Sequence, residues 1–464
     1  MDIEEVIFKT PKSSIDHVLG RIGFGKYQIL VLCIVGSFLL TDGGELLVIT
    51  LMASVLQREW GLSDTDVEVM GSLLFCGGMI GTLLAGPLGD HFGRKISLRV
   101  GVTCFTALSL SSAFMPNFWS FVAARMCLGI CLGGIVPIAT TLLIETGTET
   151  SRGLTALSGQ LLYQVGVAYV VVLAVFLIPD LKPVHWRELL LISSIPAYIS
   201  SIMVWFFIDE SPRFLSLKLR NKEAVDVLNR VARVNKSHLL GPEEEESISH
   251  IEQSPETHFS DRIKKIFSGA YLRVTIQCFF LWWSVGFLYF GVVFILPRTL
   301  QSEASDSEVL PQLAIMNCIE APAGILPMFI IEHKSFGRKN SIILTSLFQF
   351  ITAIICSLPM DEALWAVFVT LFQFWGMVIG DIICPYTSEL YETSIRTTGY
   401  SLCFTFTKLA AVSSPFILLR LHESNPMYPY YAFSVVGALS FINCALLQKD
   451  SKGKVLDTIV VAVN

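Results

Sequence analysis

Six charged side chains stand inside long apolar runs, where each needs a chemical reason. Asp42 and Glu45 lie three apart in one run, Arg125 in a second, and Glu320, Asp381 and Lys408 in three more. A charge buried in hydrocarbon costs at least about 2.5–3.5 kcal/mol, so such groups bind, relay or pair. Asp42 and Glu45, at that spacing, share a helical face. Lys408 in an apolar setting would bind a carboxylate by direct pairing, the alternative being a side chain that snorkels to the membrane surface. Glu320 precedes Pro322, whose missing N–H frees a backbone carbonyl for a bound ion or water; the alternative is a polar cap at a kink. Asp381, ahead of Pro385, reads as a helix-packing or gating group. In the aromatic stretch Trp282 to Phe290, Trp283 and Phe287 are candidates to stack on a flat ring or a cation. Tyr163, Gln164 and Gln373 are uncharged candidates for cavity hydrogen bonds. Packing against lipid or neighbouring helices is the competing reading for each of these.

The elements that must position these groups are membrane helices. Hydrophobic residues make up 53% of the 464-residue chain and charged ones 16%, against about a quarter charged in soluble proteins. Mean hydropathy is +0.61. The apolar residues gather in runs of about twenty, the length that spans a hydrocarbon core, and each run must be helical to satisfy its backbone. Twelve spans follow, six within 27–208 and six within 271–448. Residues 1–26 form a polar N-terminal segment without the pattern of a cleaved signal, 209–270 a soluble linker and 449–464 a tail. Lys and Arg crowd one set of loops and both termini, which places those in the cytosol. In the linker, Asn221 to Val234 carries apolar residues at helical spacing, and Gly241 to His258 reads as an acidic mobile stretch. All eleven cysteines fall in apolar segments, which argues against a disulfide framework. No phosphate loop, HExxH or Cys/His metal spacing occurs, so an ATP-driven pump, a membrane hydrolase and a metal site are not expected; no nucleic-acid partner is expected either.

A second set of charges sits at helix ends. Asp90 and Arg94 lie in Gly89-Asp-His-Phe-Gly-Arg94-Lys95, and Arg338 in Phe336-Gly-Arg338-Lys339. Arg94 and Arg338, Glu145 and Glu389, and Arg152 and Arg396 recur at one identical offset, the mark of a duplicated unit. Charge pairs at helix ends on one side act as a gate that breaks when two halves rock. Lys334 stands where the copy of Asp90 would fall, which predicts a weaker second clamp.

Together the loop motif, twelve spans and central linker resemble the major facilitator superfamily. Asp209-Glu-Ser-Pro-Arg213 resembles the signature of sugar porters and organic-ion porters, and the Arg125-to-Gly134 stretch is similar to the arginine-glycine motif of the fourth helix. Glu320-Ala-Pro322-Ala-Gly324 and Glu389-Leu-Tyr-Glu-Thr-Ser-Ile-Arg396 are similar to the organic cation and anion porters. The last two stretches resemble still more the synaptic-vesicle-2-related group and its bacterial niacin and aromatic-acid relatives, and Asp42-Gly-Gly-Glu45 fits that group as well. The short loops after the first and seventh spans depart from the large external inserts of animal members. The resemblance implies an all-α, two-fold pseudo-symmetric fold, with proton coupling by an acid on the first helix facing an arginine on the fourth, here Asp42, Glu45 and Arg125. A carboxylate near a cation is ionised, and one that loses its partner to substrate takes a proton; a permanent salt bridge is the alternative. It also gives weight to Lys408, because porters of organic anions carry a base on the eleventh helix.

The expectation is a monomeric secondary transporter of a small organic solute in a plasma or vesicle membrane, in contact with lipid. It uses a proton gradient and no cofactor. The substrate expected is an aromatic or nicotinate-like carboxylate, with an organic cation or a sugar as alternatives. A non-transporting scaffold or receptor of the same fold is the rival class.

Overall fold

The computed structural model describes residues 14–148, 151–178, 184–249, 259–303, 306–332, 337–392 and 395–447. Every element among them is helical. The first six spans are Lys26–Trp60, Asp64–His91, Arg94–Ser112, Phe118–Thr146, Arg152–Leu177, and a sixth broken into Trp186–Ser193 and Ile195–Phe207. Four short helices, Pro212–Leu217, Asn221–Asn235, Pro242–Ser249 and Phe259–Ile266, lead to the second set. That set is Gly269–Glu303, an eighth span in two pieces, Gly337–Cys356, Glu362–Leu390, Arg396–Ser424 and Tyr428–Ala445. Ten of the spans are long and apolar enough to cross a membrane on composition alone. The other two, the third and the twelfth, are diluted by Arg94, Lys95 and Arg99 and by Tyr428, Tyr430 and Tyr431, and pack among the rest.

Local chemistry sets the boundaries. Gly61, in the left-handed region at φ 61°, closes the first span. Ser63 then caps the second, its hydroxyl accepting from the Asp66 N–H at 3.3 Å while Asp66 accepts from the Ser63 N–H at 3.0 Å. Gly93, at φ 94°, makes the turn into the third span, and Gly337, at φ 66°, starts the ninth in the same way. These are the glycines of the repeated Gly-Arg-Lys motif, and a left-handed turn is what the motif requires.

The second and fourth spans cross with their backbones touching. A methyl group at Gly133 would lie 2.0 Å from the Gly78 carbonyl oxygen, and one at Gly129 would lie 2.1 Å from that of Leu74. Small residues thus replace side-chain packing at the crossing, as membrane helices favour. The eighth span, by contrast, is interrupted. Asp306–Glu320 and Leu326–Glu332 are joined by a 3-10 turn, Ala321–Gly324, at Pro322.

The linker is more ordered than its sequence suggests. Asn221–Asn235 buries Ala224, Leu228, Val231 and Ala232 against the first half. Asn235 is fully engaged: its Oδ1 accepts from the Tyr27 N–H at 2.9 Å, and its Nδ2 donates to the Gly23 carbonyl and to Gln28. The acidic stretch expected to be mobile forms helix Pro242–Ser249. Its first-turn glutamates stand at the helix N-terminus, where the macrodipole favours them, and Glu244 pairs with Arg21 at 2.8 Å. Residues 250–258 lie outside the described residues, as does Lys334.

Candidate functional site

A cavity of about 120 Å³ lies between the two sets of spans, room for roughly ten waters or a small organic solute. The first span contributes Leu39 and Asp42, and the fifth Gln160, Tyr163 and Gln164. From the other half come Trp282, Tyr289 and Phe290 of the seventh span, Asp381 and Cys384 of the tenth, and Tyr400, Phe404, Thr407 and Lys408 of the eleventh. Apolar and aromatic walls thus hold a few charged groups, the usual make-up of a small-molecule site.

Glu45, rather than Asp42, meets Arg125. Arg125 Nη1 donates to Glu45 Oε2 at 2.5 Å, and both side chains are buried. The Ser194 hydroxyl adds a bond to Glu45 Oε1 at 3.5 Å, and the Arg125 guanidinium lies 5.1 Å over the Phe121 ring. Both members belong to the first half, and Glu45 also lines a small pocket with Asp42 and Lys408. The expected pairing of a first-helix acid with the fourth-helix arginine is present, but Glu45 alone makes it and Asp42 does not. Three residues on a helix place two side chains near one another without giving them the same partner, and Asp42 points to the cavity instead.

There Asp42 faces Lys408 of the other half. The two line the cavity and an adjoining pocket, and each feels the other's charge. The Lys408 ammonium sits 5.0 Å from the Phe404 ring centre and 6.0 Å from that of Phe75. With its ammonium beside these two rings, Lys408 lines the site rather than reaching the membrane surface.

Two aromatic expectations are corrected. Trp283 stacks on Phe287, centroids 5.3 Å apart, and Phe287 packs on Phe433, away from the cavity. The cavity face of the seventh span is Trp282, Val285, Gly286, Tyr289 and Phe290, one residue round from the face expected. Trp282 is held by Nε1 donating to the Thr387 hydroxyl at 2.9 Å. Tyr163 and Gln164 lie where expected, and the Tyr163 phenol pairs with that of Tyr289. Asp381, read from sequence as a packing or gating group, lines the cavity. Glu320 and Gln373 do not; they share a smaller lobe beyond Tyr289 and Met377. Asp381, Trp282 and Phe404 were within reach of sequence reasoning only through the register of their helices.

Below the cavity, on the basic-loop face, the halves are closed on each other. Arg94 reaches Glu145 at 3.2 Å, Asp90 at 3.4 Å and the Gly89 carbonyl oxygen at 2.9 Å. Across the halves, Arg94 Nη2 donates to the Thr397 hydroxyl at 3.2 Å, and the Thr398 hydroxyl donates to Asp90 Oδ2 at 2.9 Å. Arg262, on linker helix Phe259–Ile266, pairs with Asp90 at 2.9 Å. Glu210 accepts from the Arg94 N–H at 2.9 Å and the Lys95 N–H at 3.2 Å, and its burial raises its carboxyl pKa above the ordinary value. The second half repeats the clamp more simply: Arg338 pairs with Glu389 at 3.3 Å, and Arg396 Nε donates to the Ser388 carbonyl at 3.1 Å. The Arg152 side chain lies outside the described residues. Sequence pointed to these charges but missed Arg262 and Glu210, since nothing in their spacing links them to the repeat.

The family model for "Sugar (and other) transporter" matches residues 31–462. The chain belongs to this family. It is a multi-pass membrane transporter of the major facilitator superfamily, and not an enzyme. It is 26% identical to the synaptic vesicle 2-related protein of Bos taurus, with 95% of this chain and 81% of that protein aligned. It is 25% identical to organic cation/carnitine transporter 7 of Arabidopsis thaliana, over 95% of each. Among solved structures, the proton:xylose symporter XylE bound to 6-bromo-6-deoxy-D-glucose superposes with a TM-score of 0.80 at 19% identity. That alignment covers 94% of this chain and 99% of the symporter.

Proposed function

We propose that this transporter carries a small organic carboxylate together with a proton, by alternating access between its halves. The observation that carries the reading is the opposition of Asp42 and Lys408, from different halves, across an aromatic-lined cavity. In the unloaded site Lys408 offsets the charge of Asp42. A carboxylate that enters and pairs with Lys408 takes that offset away, and Asp42 then accepts a proton in the low-dielectric cavity. Substrate and proton are thereby bound together, which is the requirement for symport. Tyr163, Trp282, Tyr289 and Phe404 offer faces and edges to a flat ring.

The Glu45–Arg125 pair, with both members in one half, ties the first, fourth and sixth spans together. Glu45 reaches the small pocket that Asp42 and Lys408 line, but the pair does not join the halves, and the coupling role is assigned to Asp42 opposite Lys408. The positive-inside bias puts the closed, basic-loop face in the cytosol, so the closed clamp is the cytosolic gate. The membrane is a plasma or vesicle membrane, in keeping with the name of the vesicle-2-related relative. The domain limits read from sequence, with residues 27–208 and 271–448 as the rocking halves, serve this cycle.

Asp381 favours a second reading. It is a buried acid on the cavity wall, and one carboxylate oxygen has no hydrogen-bond partner, an arrangement that would hold an organic cation, the substrate class named for the Arabidopsis relative.

Uptake of labelled nicotinate, benzoate, choline and glucose into proteoliposomes, with and without an inward proton gradient, separates the readings. Gradient-driven carboxylate uptake that Lys408→Ala abolishes is the expected result. Choline uptake that persists in Lys408→Ala overturns the anion reading in favour of the cation. Absence of flux for every compound favours the scaffold.

A further inference from the structure

The acids within the spans differ in their company. Glu45 has Arg125, and Asp42 has Lys408. Asp381 lies in the main cavity, where a substrate fits. Glu320 has neither. It is 2% exposed, and Oε1 has no hydrogen-bond partner among the described residues.

Glu320 opens into a lobe of about 30 Å³, room for roughly two waters and no organic group. The groups facing it can be named element by element. The first span presents Leu47 and Thr50, and the fifth Val167. The eighth presents Asn317, and the tenth Gln373 and Met377. The seventh presents Tyr289, the other titratable group among the lobe's described residues, which also feels Asp42 and Asp381 from the main cavity. Among the described residues, no lysine, arginine or histidine lines the lobe. An ionised carboxylate without a cation in such a place would bear the full cost of desolvation, and a carboxyl group escapes that cost by taking a proton.

The lobe also lies where the halves meet. Gly324, in the 3-10 break just beyond Glu320, packs so closely on the fifth span that a methyl there would lie 3.0 Å from Leu161. Rocking of the halves therefore separates the walls of the lobe and admits water to Glu320.

From this arrangement we propose that Glu320 is a second coupling site: it crosses the cycle protonated in the closed lobe and releases its proton when the halves part. The inference rests on the proton-symport reading above, with Asp42 and Glu320 each taking one proton per substrate. The step is a plain proton transfer, from water on one side to the carboxylate and back to water on the other.

Two measurements test it on the full-length protein. Infrared spectra of the lipid-reconstituted protein near neutral pH should show a carboxylic-acid carbonyl band that loses one carboxyl's share in Glu320→Gln. This arm needs no knowledge of the substrate. An unchanged band, in a variant whose thermal unfolding matches the parent, overturns the proposal. In proteoliposomes, Glu320→Gln should exchange internal for external nicotinate or benzoate at the parent rate, because the amide mimics the protonated acid. Its protons per substrate should fall two-fold. Loss of exchange would make Glu320 a substrate ligand, and uptake that follows sodium instead of pH would make the lobe a sodium site; either result overturns the proposal. If no compound moves, the symport reading fails, and the infrared arm still decides whether Glu320 is protonated.

Discussion

At the scale of single residues, the distinction that matters is between a charge held for good and a charge held conditionally. Arg125 is fully buried, and its partner Glu45 is in the same half. Removing one member leaves the other buried and uncompensated, at a cost of about 3–5 kcal/mol. Glu45→Gln and Arg125→Met should therefore each lower thermal stability in detergent clearly, and the double variant should recover much of the loss. Asp42→Asn should behave in the opposite way, with stability within about 0.5 kcal/mol of the parent, as for ordinary partly exposed substitutions, but with gradient-driven uptake abolished. Similar stabilities for Glu45→Gln and Asp42→Asn would remove the basis for treating the two acids differently. The sequence marked both acids and both cations as intramembrane. It could not say which acid met which cation, because the partner depends on helix rotation and on how far the fourth and eleventh spans stand from the first. The same limit explains the seventh span, where Trp282 and Trp283 are equally aromatic and one residue of register decides which faces the cavity.

Elements carry a different kind of information, and more of it was legible. Apolar runs gave the spans, the repeated motif gave the pairing of halves, and helical spacing gave Asn221–Asn235 with Leu228, Val231 and Ala232 on its buried face. Close crossings were not legible, since a glycine in a membrane helix looks the same whether it faces lipid or another backbone. The crossing of the second and fourth spans makes the consequence measurable. At Gly133 a methyl would meet the Gly78 backbone at 2.0 Å, and backbone cannot rotate out of the way as a side chain can. Gly133→Ala should destabilise by about 1–3 kcal/mol, the usual range for overpacking. Gly134, one residue on, has its nearest neighbour at 3.7 Å and should accept alanine with little change. Equal thermal unfolding of the two variants would contradict the crossing as described. Because the fourth span also carries Arg125, a shift there should reach the Glu45 pair.

For the whole molecule, closure on the basic-loop face is concentrated at one acid. Asp90 accepts from Thr398 of the opposite half and pairs with Arg262 of the linker and with Arg94 of its own half. The linker helix that bears Arg262 is fastened at its far end by Lys265 to Glu392, at the junction of the tenth and eleventh spans. The linker therefore acts as a strap across the closed face, beyond merely joining the halves. Asp90→Asn keeps the size of the side chain and removes the charge, so it weakens two ion pairs while leaving an acceptor for Thr398. The balance should move toward the state open on that face, because only the closed state contains these contacts. Cys384 is a suitable reporter: it is buried on the cavity wall with Gln160 Nε2 donating to its sulfur at 3.2 Å. In a variant retaining Cys384 as its single cysteine, alkylation by a water-soluble maleimide supplied from the basic-loop side should rise several-fold on introducing Asp90→Asn. Arg262→Gln should produce a smaller rise, since it removes one of the two ion pairs. If both substitutions leave the alkylation rate unchanged, the pairs seen in the closed form do not set the conformational balance. The steric contact of Gly86 with Thr398, where a methyl would lie 2.9 Å from the Thr398 Cα, would then be what holds the face shut.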